Sequence, residues 1–157
     1  MSEINLEDLN DTIRYTNWTA FSTVNPVSNV ADAQAELDGW VASLAERDIT
    51  LRGAYDLRAF RADASLLLWI YAESAEKVQE AHREFAHLSI GQHFAPHWSG
   101  MGLHRPAEFN RTHVPGFMLG KTARDWLCMY PFVRSYDWYL IPEEDRREML
   151  REHGVAG

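Results

Sequence analysis

The chain has 157 residues, 46% of them hydrophobic and 24% charged, and its 15 basic and 23 acidic side chains leave a net charge of −8 at pH 7. That length suits one good domain, or one domain and part of another, and the acidic balance argues against nucleic acid or an anionic membrane as a partner. The single cysteine, Cys128, excludes an internal disulfide and a multi-cysteine zinc site, and its expected role is that of a small buried hydrophobe.

The amino-terminal MSEINLEDLNDT is acidic and lacks the basic and apolar regions of a secretory signal. No stretch approaches the ~18 consecutive apolar residues of a membrane span, so a soluble, cytoplasmic protein without membrane insertion is expected.

Residues 13–24, IRYTNWTAFSTV, are rich in β-branched and aromatic side chains and end at Asn25-Pro26, which predicts a first strand and a turn. Ser28 or Asn29 can cap a helix in which Val30, Ala33, Leu37, Trp40, Val41 and Leu44 form one apolar face. Residues 49–60 alternate in polarity and residues 65–73, SLLLWIYAE, are apolar on both faces, the pattern of a hairpin with a central second strand. Ser74 can cap a second helix with Val78, Ala81, Phe85 and Leu88 inward. HWSGMGLHR, past Pro96, completes the set as a last strand.

The order β-α-β-β-α-β predicts an α+β fold, a ferredoxin-like repeat over residues 12–106 with two helices on one face of an antiparallel sheet. Residues 107–127 are rich in turn formers and predict a linker or lid, since a loop this long is usually functional. After this, LCMYPFVRSYDWYLI reads as a strand and PEEDRREMLREHG as a helix, with Pro142 in its first turn and Gly154 as its C-terminal cap, so that residues 128–157 form a β-α unit. This β-α unit is either an appendage or the start of a second repeat.

Strand alternation would place Tyr130, Arg134, Tyr136 and Trp138 on one face. Such a face is planar and apolar enough for a porphyrin, with one guanidinium for a carboxylate, although packing alone would also gather most of these residues. The Tyr130 phenol, with an ordinary pKa near ~10, serves either as a hydrogen-bonding wall or as a one-electron donor beside a strong oxidant.

Met149, Leu150 and His153 share one helix face, so His153 is either a helix-terminal imidazole favoured by the helix dipole or a ligand for haem iron. His113 is either a surface residue of the linker or, on a lid, a base able to deprotonate a peroxide. His93 and His97 are four apart, but Pro96 interrupts any helix between them, so they do not predict a metal pair. Phosphate loops, nucleophile elbows and paired-carboxylate patterns do not occur.

The segments YTNWTAF, FNRTHVPGFMLGK, MYPFVRSYDWYLIP and RREMLREHG together resemble the coprohaem decarboxylases of the chlorite dismutase superfamily, in their actinobacterial form. The resemblance runs along nearly the whole chain from about residue 12. It implies two ferredoxin-like repeats forming a dimeric α+β barrel, with coprohaem in the second, and a homopentameric assembly.

The implied activity is the hydrogen-peroxide-dependent oxidative decarboxylation of two propionates of iron coproporphyrin III (coprohaem), both substrate and redox cofactor, to haem b. Implied roles are His153 as the proximal iron ligand, His113 as the distal base and Tyr130 as the redox tyrosine. Trp138 would be a redox-active or substrate-contacting neighbour and Arg134 a propionate partner, with a transient ferrochelatase contact upstream. Members of this group continue past the stretch HGVAG, so the resemblance also implies a chain that lacks the rest of its second repeat. Three further readings remain: a chlorite dismutase-like or peroxidase-like haem enzyme, a non-catalytic haem-binding protein, and a haem-free α+β ligand-binding module.

Overall fold

The computed structural model describes residues 5–106 and 114–156, with side chains as far as His153. Two compact units divide the chain, Met1–Trp126 and Leu127–Gly157.

The first unit opens with a short helix, α1 (Leu6–Asp11), which the reading of the sequence did not anticipate. Asn5 caps it by accepting a hydrogen bond from the Glu7 amide at 3.1 Å. The predicted order follows: β1 (Arg14–Thr23), α2 (Val30–Ala45), β2 (Ile49–Asp56), β3 (Leu66–Ala72), α3 (Ala75–His87), a 3₁₀ turn at Gly91–His93 and β4 (Phe94–His104). Asn29 caps α2 and Ser74 caps α3, each through its side-chain oxygen, as their sequence positions suggested.

The strands form an antiparallel sheet in the order β2-β3-β1-β4. This is the ferredoxin-like arrangement, in which each crossover helix returns the chain to a non-adjacent strand on the same face of the sheet. β3 lies between β1 and β2, which is why its residues are apolar on both faces. β4 begins before Pro96, at Phe94. The missing proline N–H is tolerated because β4 is an edge strand and the register shifts at Ala20/Phe21, where Trp98 and then Pro96 oppose them.

Alternation sends Phe21, Leu68, Ile70 and Ala72 towards the helices, where they meet Trp40 and Leu44 of α2 and Val78, Ala81 and Phe85 of α3. Leu44, Ile70 and Ala81 are wholly buried. The helices are held together at their outer edge. The Arg47 guanidinium donates to both oxygens of Glu84 at 2.7 and 2.8 Å and to Glu80 at 2.8 Å, and the Trp40 indole donates to Glu84 at 3.1 Å.

The opposite face of the sheet is aromatic. The Trp18 and Trp69 rings lie 5.6 Å apart, and Phe117 covers Trp69 and Tyr71 at 5.8 and 5.0 Å. The Trp69 indole finds its buried partner in the Thr16 hydroxyl at 2.7 Å. Phe117 belongs to a set of turns in which the Met118 and Lys121 amides donate to the Pro115 and Gly116 carbonyls. Gly120 closes them at φ +66°, a left-handed conformation costly for any residue with a Cβ.

The second unit departs from the expected strand. Residues 127–135 have no regular structure, a single helical turn α4 (Asp137–Leu140) follows, and α5 (Glu143–Ala156) completes the unit. A strand is defined by a hydrogen-bonded neighbour, none runs beside this segment among the described residues, and Pro131 removes one donor from it. The Pro142 carbonyl accepts the first intrahelical bond of α5, from the Arg146 amide at 3.0 Å. The helix runs on through Gly154 rather than ending there.

Candidate functional site

Three sequence candidates, Tyr130, Arg134 and Trp138, fall in one eleven-residue stretch of the second unit, but on a loop and a helical turn rather than on one strand face. The Trp138 and Tyr139 amides donate to the Ser135 and Tyr136 carbonyls at 3.2 and 3.0 Å, which winds this part of the chain inward. The turn brings the Arg134 guanidinium over the Trp138 indole, 5.0 Å from the ring centroid. At that distance the cation meets the negative face of the ring.

Tyr130 is not in that stack. It lies beside Phe132, ring centroids 6.3 Å apart and nearly parallel, and is 69% exposed. Phe132, Tyr136 and Leu140 are more exposed still, and Val133 is 96% exposed. Tyr130, Tyr136 and Tyr139 are thus open to solvent, whereas Trp138 is half-buried. Several exposed large apolar side chains within one short segment are what a binding or contact face would use.

His153 stands exposed on α5, one turn beyond Met149, which is itself 47% exposed. The helix around it is tied by surface pairs. Arg147 reaches Glu143 at 2.5 Å, and Arg151 holds Glu148 through two bonds at 3.0 and 2.5 Å. The hydrogen bond from Arg151 lowers the Glu148 pKa. These pairs lie on the exposed surface of α5, and His153 is exposed as well.

His113 lies outside the described residues. Cys128, expected to be buried, is exposed, because the segment that carries it packs no strand ladder beneath it. His97 meets Asp63 at 2.9 Å, whereas the His93 ring donates to the Asn25 carbonyl at 3.2 Å and the His104 ring to the Thr12 carbonyl at 3.0 Å. Those rings serve as local ties between elements. Among the described residues no three His, Cys, Asp or Glu side chains gather as a metal site, and no helix is long and apolar enough to cross a membrane.

One feature of the first unit carried no motif. A cavity of about 350 Å³ opens between α3 and the helix-facing side of β1 and β4, lined by Asn17, Thr19, His82, Phe85, Ser99 and Met101 among others. A signal was present: Tyr15, Asn17, Thr19 and Phe21 alternate onto the face that meets the helices. Two polar residues there are unusual for a core strand.

Sheet order and helix placement define the first unit as a ferredoxin-like α+β domain. The comparisons agree on a more particular grouping: the profile of the chlorite dismutase family matches residues 30–157. The chain is 38% identical to the coproheme decarboxylase of Mycolicibacterium smegmatis over 159 residues, covering 99% of this chain and 69% of that one. It belongs to the chlorite dismutase family of enzymes.

Solved structures of chlorite dismutase from Candidatus Nitrospira defluvii share the fold. The one in complex with imidazole matches 91% of this chain at a TM-score of 0.65 and 18% identity. A tryptophan-to-valine mutant of that enzyme matches 61% at 0.55 and 19%. The chain spans 64% and 42% of the lengths of these two structures.

Proposed function

We propose that this chain acts in haem formation, removing two propionate carboxyl groups from iron coproporphyrin III with hydrogen peroxide as the oxidant and yielding haem b. The observation that carries the reading is the 38% identity to a coproheme decarboxylase along 99% of the chain. The chemistry of the second unit fits such a substrate. An exposed imidazole suits iron, a guanidinium stacked on an indole suits a propionate, and an open phenol is available for electron transfer.

When bound, the iron porphyrin supplies the redox centre at which peroxide is reduced. For each propionate the balance is one hydrogen peroxide consumed, with one carbon dioxide, two waters and one vinyl group produced. His153 would hold the iron, and His113 would take a proton from the peroxide. Arg134, backed by the Trp138 ring, pairs with a propionate and sets the porphyrin edge. The Tyr130 hydroxyl would give up its hydrogen atom and take one back from the propionate side chain, and loss of one further electron from that side chain to the porphyrin centre would release carbon dioxide and leave the vinyl group. A homopentamer and a transient ferrochelatase contact belong to the same reading.

The test is mass spectrometry of the porphyrin after the protein is mixed with ferric coproporphyrin III and hydrogen peroxide. Stepwise loss of two carboxyl groups is expected, abolished in Tyr130→Phe with porphyrin binding retained, while His153→Ala loses the iron-bound spectrum. Full turnover in Tyr130→Phe would remove the role given to that phenol. An unchanged porphyrin together with oxygen release from chlorite would replace the decarboxylase reading with a chlorite-converting one.

A further inference from the structure

The first unit holds a cavity to which none of the residues of the proposed porphyrin chemistry belongs. α3 packs over β1 and β3 and leaves the helix-facing row of β4 uncovered, so that Ser99 and Met101 stay exposed and a trough forms along β1. At its floor three side chains converge. The Asn17 amide donates to the Ser99 hydroxyl at 3.0 Å, Thr19 donates to the Asn17 carbonyl oxygen at 2.6 Å, and the Thr19 and Ser99 hydroxyls lie 3.2 Å apart. Asn17 and Thr19 are 7% and 5% exposed. The register sets this triad, because Thr19 opposes Ser99 and Asn17 opposes Met101.

The walls are mostly apolar, with Phe21, Phe85, Phe94 and Met101 around the triad and Gln79 as a polar member. His82 of α3 completes them, its ring 6.5 Å from that of Phe21 and its buried Nε2 without a hydrogen-bond partner. Burial lowers the His82 pKa, so the ring stays neutral at pH 7. A buried polar atom without a partner calls for an explanation, and the residue that carries it lines the trough. Among the described residues that line the cavity there is no Asp, Glu, Lys or Arg. A carboxylate-bearing or cationic ligand would therefore enter uncompensated. The volume falls in the range of small-molecule pockets.

We propose that this trough binds a small uncharged ring-bearing molecule with one hydroxyl or amide group. Its ring packs on Phe85, Phe94 and Met101, and its polar group joins the Asn17–Thr19–Ser99 triad. A ligand hydroxyl adds a bond to a network that is already aligned, whereas an analogue without it packs on the same rings and gains none.

The experiment titrates phenol into the full chain carrying ¹³C-labelled methionine methyls, with benzene as the control and no porphyrin present. The expected result is a saturable shift of the Met101 methyl with phenol, and binding of benzene weaker by about two- to tenfold. Thr19→Val and Ser99→Ala should reduce phenol to the level of benzene. Ser99 is exposed, so its variant keeps the test valid if Thr19→Val does not fold. Ala86→Trp, from an exposed position on the rim, should abolish both titrations without changing the melting temperature. Equal affinity for phenol and benzene, a shift that never saturates, or one that survives Ala86→Trp would overturn the proposal.

Discussion

Glu84→Gln tests how the helix layer is held over the sheet. Glu84 accepts two guanidinium bonds from Arg47 at 2.7 and 2.8 Å and the Trp40 indole at 3.1 Å, so the carboxylate joins α3 to the end of α2. Charge-assisted bonds of this geometry contribute ~1.5–3 kcal/mol each when protected. Here the Arg47 and Glu84 side chains are 32% and 33% exposed, and screening reduces the pair well below that sum. A coupling of about 1–2 kcal/mol between Glu84→Gln and Arg47→Met follows, equivalent to about 2–8 °C in melting temperature for a domain of this size.

The assay is a double-mutant cycle by urea unfolding, followed through tryptophan fluorescence and repeated across pH. The hydrogen bond from Arg47 lowers the folded-state pKa of Glu84 below its ordinary 4.5. A depressed carboxylate contributes stability that is present above the unfolded value and is lost as pH falls through the folded one. The advantage of wild type over Glu84→Gln should therefore be full near neutrality and shrink below pH 4.5. Additive single-mutant effects, or an advantage that persists unchanged into strong acid, would refute the clamp.

Gly91→Ala should destabilise the first unit by about 1–3 kcal/mol, since a Cβ there would stand 1.7 Å from the Phe85 carbonyl oxygen, which is backbone and not free to give way. A melting temperature equal to wild type would contradict the close approach of the turn to α3. Arg134→Lys keeps the charge but loses the flat stack on Trp138, so stability should remain within about 0.5 kcal/mol while affinity for ferric coproporphyrin III falls roughly tenfold in a Soret titration. Unchanged affinity would show that the propionate is held elsewhere.

Much of the first unit could be read from local pattern. The period of Val30 to Leu44, the caps at Asn29 and Ser74, and the doubly apolar run of β3 each reflect physics within a few residues. The same locality explains the failures. The aromatic stretch from Tyr130 to Tyr139 has strand composition, yet a strand exists only with a ladder partner, and the segment instead winds into a helical turn that stacks Arg134 on Trp138. Cys128 is exposed for the same reason.

By itself the sequence determined the order of elements in the first unit, which faces of α2 and α3 turn inward, and the resemblance that led to the family. Those depend on side-chain periodicity, capping and motif order along the chain. Only the tertiary structure decided that α3 stops short of β4. That shortfall turns Asn17, Thr19 and Ser99, ordinary residues on strands far apart in the chain, into one triad at the floor of a cavity. Register across a sheet joins residues more than eighty positions apart, and no local pattern records it.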